Sequence, residues 1–439
     1  MSAPLKQIVT STKIPVQADV VVIGGGIVGS CSAYYLARRG LKVALVEKGR
    51  IGAEQSSRSW GWCRQQNRDA RELPISIHSL ALWDAFASEI GESVGFSRCG
   101  LLYLSNDQSE LDGWAKWRDF AIGEGVVTNM LSSNEATANG KATGRRWLGG
   151  VSSPSDGTAD PSIAVPVIAI GVQKLGGTVH QHCAARGLEL SGGSVSGVIT
   201  EHGVIKTHSV VMAGGAWASS FLHQQKLRFP QASVRSSILA MAPCNDLPDT
   251  LHTSEVSFTR RGDGGHTVAI SGKACVDLTP QQIRFGTSFL PMFLKRWRAL
   301  SPGGFEGFLQ GHESLKRWRL DRPTPMEKNR VLNPKIDTRQ IKETLRRARS
   351  LFPALAETPM TSSWASYIDS TPDGVPAIGA TDIPGLTLAA GFSGHGFGIG
   401  PGAGHLVADI LTGSKPVVDP RPYDPARLKQ GVWGKVADF

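Results

Sequence analysis

Short, unbroken apolar runs alternate along this chain with stretches whose apolar residues recur at helical spacing. Residues 20–23 and 42–47 read as strands. The stretch 32–39, stopped by Gly40, reads as the helix between them, so that the three form one βαβ unit with parallel strands. Helical spacing returns over 75–90, where Ile77, Leu80, Trp83, Phe86 and Ile90 share a face, over 164–175, and over 401–411 before Gly413. Between 177 and 211 the runs are shorter and separated by glycines, which predicts strands at 177–179, 188–190, 195–200 and 204–211. The region 227–359 mixes strands (256–259, 266–270) with helical segments, and 386–390 is a last buried strand. The fold class expected is α/β (α+β overall).

The 439 residues are too many for one ordinary domain, and 51 glycines imply many tight turns and close backbone approaches. The six cysteines are scattered with no C-x-x-C, which excludes a disulfide scaffold or a zinc ribbon and suggests a reducing compartment. The opening residues lack a secretion-signal pattern. The apolar window 20–37 is broken by Gly24, Gly25, Gly26 and Gly29, so no transmembrane helix is expected, and the expected location is cytoplasmic. Lys and Arg outnumber Asp and Glu by 47 to 37, and the window 295–350 alone, with 15 basic and 6 acidic residues, carries nearly all of that excess. Three readings fit the window: solvated helical faces, an anionic membrane interface beside the apolar run 289–294, or RNA, which rests on charge alone.

Gly24-Gly25-Gly26-Ile27-Val28-Gly29 follows an apolar strand and opens a helix, and Glu47 lies 18 residues beyond the last glycine. Gly24 permits the turn, Gly26 admits a pyrophosphate and Gly29 allows close helix–strand packing. Glu47 can accept hydrogen bonds from an unphosphorylated ribose, so FAD or NAD is expected rather than NADP. Seven glycines between Gly391 and Gly404 precede a helix and could offer N–H groups to the anionic edge of a reduced flavin. His180 and His182 form an H-x-H without a third ligand, and no metal site is expected.

With Asp156-Gly157-Thr158-Ala159-Asp160-Pro161, Ala213-Gly214-Gly215-Ala216-Trp217 and Thr371-Pro372-Asp373 added, the chain resembles the D-amino-acid oxidase superfamily from about residue 18 to 428. Within it, Glu54-Gln55-Ser56-Ser57-Arg58, Cys183-Ala184-Ala185-Arg186-Gly187 and the basic block are similar to bacterial membrane-associated L-amino-acid deaminases. The resemblance implies a Rossmann-type FAD domain (17–65, 155–226 and 360–428). It also implies an antiparallel-sheet substrate domain (66–154 and 227–359) with a basic helical insertion at about 285–350. FAD is expected against Gly24, Gly26, Ile27, Val28, Gly29, Glu47 and Lys48, then Gln55, Ser56, Ser57 and Arg58. Further contacts are expected at Ala185, Gly214 and Trp217, and at Gly394, Gly396, Phe397, Gly398 and Ile399. Where some relatives bind flavin through cysteine this chain has Ser366, so the expected FAD is non-covalent.

The implied reaction oxidises the C–N bond of an amino or imino acid to an imine, hydrolysed to a keto acid plus ammonia or an amine. A secondary-amine or opine oxidase or dehydrogenase is the alternative, and an RNA-modifying flavoprotein a second one. Because the flavin carries the oxidation from a neutral amine, no strong protein base is obligatory, but the carboxylate needs an anchor. Arginine suits that task. The deaminases' anchor register falls on Thr259, leaving Arg260 or Arg64 as candidates, with Trp60 and Trp62 as walls and His395 beside flavin and substrate. Oxygen or a respiratory-chain quinone could reoxidise the flavin. Any membrane contact would be peripheral, at the inner face of the cell membrane.

Overall fold

The computed structural model describes residues 3–309, 317–429 and 436. Strand Val20–Ile23 is buried on both faces, as the middle of a parallel sheet requires of four consecutive apolar residues. It pairs in parallel with Val43–Val46 and with Val210–Met212. Thr178–His180 and Leu386–Ala390 extend the sheet in parallel on either side, and Ala377–Ala380 ends it antiparallel. Helices Ile27–Arg38, Leu73–Ile90, Ala164–Lys174 and Gly396–Thr412 cover one face. Their Tyr34, Trp83, Ile168 and Leu406 share a core with Val20, Val22 and Leu45. Against the other face pack the antiparallel strands Ala185–Ser191, Ser194–Thr200 and Gly203–Lys206, with helix Ala218–Gln224. The run 204–211 is two strands rather than one. Thr207 Oγ1 donates to the carbonyls of Asp19 and Ser209, and the chain there leaves one sheet for the other.

A ten-stranded sheet builds the second domain around Ala232–Met241. That strand pairs with Met360–Ser370 along its whole length, and on its other side with Ala274–Val276 and His266–Ala269. Beyond these lie Ser257–Arg260, Thr250–His252, Leu101–Ser105, Gly149–Ser153 and Asn129–Leu131. Side chains alternate across the sheet. Leu239 and Met241 enter a core with Ile341, Ala348 and Leu351 of helix Thr338–Leu351, while Val234, Ser236 and Ile238 line a cavity between the domains.

Two expected boundaries shift. Residues 360–370 belong to the second sheet, because their hydrogen-bond ladder is with Ala232–Met241, so the chain returns to the first domain only after 370. Helix Leu73–Ile90 belongs to the first domain, where Leu80, Trp83 and Phe86 are buried against Gly396–Thr412. Among the described residues the basic block is not one helical piece but holds the separate helices Leu290–Arg296, Pro325–Lys328 and Thr338–Leu351. Arg330 pairs with Glu201 at 2.5 Å, Arg319 with Asp321 at 2.7 Å, and Arg346 and Arg347 with Glu343 at 2.8 and 2.6 Å. Lys316 and Glu313 lie outside the described residues. Ile283, Leu290, Phe293, Leu294, Trp297 and Phe305 are exposed around the first of these helices. Among the described residues no helix is long and apolar enough to cross a membrane.

Candidate active site

The cavity between the domains measures about 980 Å³. One end is the turn after Val20–Ile23. Gly24 has φ +107°, and a Cβ there would lie 2.4 Å from the Ala213 carbonyl oxygen. At Gly29 a Cβ would lie 1.9 Å from the Gly24 oxygen, so Gly29 is a packing residue that does not face the cavity. Position 26 is open, with only Ser56 Oγ at 3.4 Å from such a Cβ. Ser56 Oγ accepts the Ile27 N–H at 3.0 Å, capping the helix. The two oxygens of Glu47 accept the N–H groups of Gly25 and Gly49, each at 2.7 Å, and burial raises its carboxyl above the ordinary value despite them.

Val28, Gln55, Ala185, Gly214 and Trp217 also line this end. Lys48 lines it too, but its Nζ bonds Glu54 Oε1 at 2.5 Å and the Arg330 carbonyl at 2.8 Å, and lies 4.5 Å from the centre of the Trp217 ring. Ser57 turns away, its N–H on the Gly52 carbonyl. Arg58, 2% exposed, donates to the Ala365 carbonyl at 2.9 Å while its Nε and Nη2 have no partner. Those donors, the open Gly26 and the Glu47 carboxylate fit a dinucleotide with an acceptor-rich flavin end.

The glycine-rich segment corrects an expectation. Only 391–395 precedes the helix, which starts at Gly396 and contains Pro401. Most of its glycines serve close packing: a Cβ at 398 would lie 2.8 Å from the Trp62 carbonyl oxygen, at 400 2.5 Å from Ile27, and at 404 2.5 Å from Cys31. Proline interrupts the helical ladder. Helix Leu73–Ile90 repairs it: Trp83 Nε1 donates to the Gly398 carbonyl at 2.9 Å, and Ser79 Oγ donates to that of Ile399 and accepts the Gly402 N–H. Gly394, His395, Gly396, Phe397 and Gly398 line the cavity, while Ile399 is buried in the core.

At the opposite end stand Trp60, Trp62, Arg64, Arg68, Tyr103, Trp114 and His252. The Trp60 and Trp62 rings meet edge-on at 5.0 Å, and Tyr103 lies 4.7 Å from His252. Arg64 Nη1 donates to the Gln66 carbonyl and, at 3.3 Å, to Tyr103 Oη. Arg68 is buried, its Nη1 unpartnered, and burial followed by the Arg64 charge lowers it to about 10. Asp156, buried and bonded to the Gln65 and Gln66 N–H groups, is raised by burial to about 6. Burial lowers His252 to about 3 and His395 to about 4, with the neighbouring guanidinium charges next in effect, so both rings are neutral near pH 7. His395 Nδ1 lies 2.9 Å from Glu72 Oε2.

Arg260 does not reach the cavity. It projects to the side of Asp249, 2.9 Å from its Nε, and its Nη2 donates to the Leu247 carbonyl at 2.6 Å. Its neighbour Thr259 points the other way, and Thr259 Oγ1 accepts the Trp62 indole N–H at 2.5 Å. Strand alternation thus leaves an indole, not a guanidinium, at that register. Sequence reasoning missed Arg68, Glu72, Tyr103, Trp114 and His252. The four-residue spacing of Arg64, Arg68 and Glu72 was the one visible signal, and it meant nothing without the fold.

A family model described as FAD dependent oxidoreductase (DAO) matches residues 19–410. A glycine oxidase of Pseudomonas aeruginosa is 25% identical over 93% of this chain and 98% of its own length. The structure of an L-amino acid deaminase from Proteus myxofaciens in complex with anthranilate superposes with a TM-score of 0.92 at 27% identity, covering 97% of both chains. The L-amino acid deaminase from Proteus vulgaris gives 0.90 at 27% identity, over 95% of this chain and 99% of the other. The dinucleotide cradle, the two-domain architecture and the match across nearly the whole chain converge: this chain belongs to the DAO family of FAD-dependent oxidoreductases.

Proposed function

We propose that this enzyme oxidises the C–N bond of a free amino or imino acid to an imine, which hydrolyses to a keto acid and ammonia or an amine. The observation that carries this reading is the guanidinium pair Arg64 and Arg68 in an aromatic-walled chamber continuous with the nucleotide cradle. A buried guanidinium with unmet donors is costly unless an anion completes it. Arg68 Nη1, buried without a hydrogen-bond partner, and the half-buried Arg64 beside it are donors a substrate carboxylate would satisfy. When bound, FAD would supply the redox chemistry by accepting the hydride equivalent of the C–H bond next to the nitrogen. Glu47 would hold its ribose, Gly26 and Ser56 would border its pyrophosphate, and Arg58 would meet its acceptor atoms. Ser366, which lines the cavity, offers no thiol for attachment, so FAD is held non-covalently. Trp62, Tyr103, Trp114 and His252 exclude water and receive the side chain, and both histidines stay neutral beside the amine.

A second reading is favoured by the arginine pair itself. Two guanidinium groups can hold two carboxylates, as a secondary-amine dicarboxylate or an opine presents. Anaerobic flavin bleaching separates the two. We expect the purified holoenzyme to bleach with one class from a panel of L- and D-amino acids, N-methyl amino acids, cyclic imino acids and opines. Bleaching by dithionite alone would defeat both readings. The exposed apolar residues from Ile283 to Phe305, beside Lys295 and Arg298, suit a peripheral contact with an anionic membrane, where a quinone would reoxidise the flavin. Flotation with vesicles containing phosphatidylglycerol, lost on replacing Phe293, Leu294 and Trp297 with Ser, tests that contact.

A further inference from the structure

Glu72 occupies the N-cap position of helix Leu73–Ile90 and His395 that of helix Gly396–Thr412, neither side chain making a cap hydrogen bond, so two helix N-termini meet beside the cavity that His395 lines. The residues are bonded to each other, Glu72 Oε2 to His395 Nδ1 at 2.9 Å, although 323 positions separate them. Glu72 is fully buried and its Oε1 has no hydrogen-bond partner, whereas His395 is 8% exposed and lines the cavity. A carboxylate on a ring nitrogen fixes the tautomer, because that nitrogen must carry the proton. Both helix dipoles favour the carboxylate and disfavour an imidazolium. Arg64 and Arg68 face the ring from the segment that ends at Glu72 and act in the same sense. Neither the guanidinium pair nor the indoles supply an acceptor for the N–H bonds of a substrate amine.

We propose that His395 accepts a hydrogen bond from the substrate's reacting nitrogen through Nε2, and that Glu72 is the positioning residue holding the ring in the Nδ1–H tautomer. The bond orients the amine so that its lone pair lies along the C–H bond that breaks. No proton is transferred to the ring. A histidine held neutral to about pH 4 is too weak a base to deprotonate an ammonium, and serves instead as an acceptor for an amine already neutral. This assignment rests on the amine-oxidising reading above.

The test uses the holoenzyme with glycine, N-methylglycine, L-phenylalanine, L-leucine and D-alanine, measuring anaerobic flavin reduction over a range of substrate concentrations. Glu72→Gln is expected to lower the limiting reduction rate about 10- to 100-fold, the scale of a misplaced reactant, while the substrate dissociation constant changes little. His395→Asn should cause a similar loss with Glu72 intact, which covers the case of a Glu72 variant that does not fold. Nitrogen-15 NMR of histidine-labelled protein, with His395 assigned by its loss in His395→Asn, should show Nδ1 protonated in the wild type and mixed tautomers in Glu72→Gln. Wild-type reduction rates per bound flavin in both variants would overturn the proposal, as would an Nε2–H tautomer in the wild type. If nothing in the wider panel, cyclic imino acids and opines included, bleaches wild-type flavin, the amine reading fails by itself, and the NMR result still decides the tautomer assignment.

Discussion

Arg64 and Arg260 are both arginines beside a strand of the substrate chamber's wall, and their surroundings separate them. Arg64 lines the cavity and pairs with no carboxylate among the described residues, while Arg260 spends its guanidinium on Asp249 and the Leu247 carbonyl. A charge-assisted hydrogen bond contributes about 1.5–3 kcal/mol. Arg64→Met is therefore expected to weaken substrate binding about 10- to 100-fold, read as the dissociation constant in anaerobic titrations. Arg260→Met should leave that constant near the wild-type value. Equal effects from both variants would refute the assignment of Arg64 as the carboxylate anchor. The contrast was invisible in the sequence because it depends on which face of strand Ser257–Arg260 each side chain takes. Trp62, by bonding Thr259, settles that face.

Among elements, helix Gly396–Thr412 joins cofactor cradle, substrate chamber and core. Its glycines are spaced by two rather than by a helical period, so they looked like a loop. They are helical because Ile27–Arg38 and Leu73–Ile90 pass too close for side chains, and because Trp83 and Ser79 replace the bonds that Pro401 breaks. At Gly404 a Cβ would lie 2.5 Å from backbone and side-chain atoms of Cys31, with no flexible group to yield. Gly404→Ala is expected to destabilise by about 1–3 kcal/mol through overpacking, seen as a lowered thermal midpoint and reduced flavin retention. Gly113, in helix Gln108–Gly123, has nothing within 4 Å of such a Cβ. There Gly113→Ala should stabilise by about 0.5–1 kcal/mol through helix propensity. Two glycines with opposite outcomes test whether proximity or propensity governs each helix.

For the whole molecule, burial of neutral histidines contributes an acid response, which Asp156, raised by burial to about 6, opposes over part of the same range. His252 and His395 line the cavity and His266 lies in the same sheet as His252, and burial lowers the three to about 3, 4 and 4. Arg260 and Arg261 add their charges against His266, whose ring lies 5.3 Å from that of Phe258. In the unfolded chain each takes up a proton near 6.5, so between that pH and about 4 the unfolded state binds more protons than the folded one. The histidines' contribution should therefore be complete above about pH 6.5 and fall as the pH drops towards 4. Chemical denaturation across that range checks the slope. His266→Leu, remote from the cavity, should flatten it while leaving the flavin spectrum unchanged.

Local pattern alone determined the βαβ unit with its glycine turn and Glu47, because apolar runs, helix period and G-x-G-x-x-G all act over a few neighbouring residues. It also determined the strand 386–390 and the helices around 75–90, 164–175 and 401–411, whose apolar faces are written in their own spacing, but not the helix Gln108–Gly123. Only the tertiary structure decided which domain owns 73–90 and 360–370, because a helix and a strand declare what they need to bury but not where. The same holds for the chamber. Arg64, Arg68, Tyr103, His252 and the Glu72–His395 bond converge from four separate stretches, and a site assembled by packing has no signature until the packing exists.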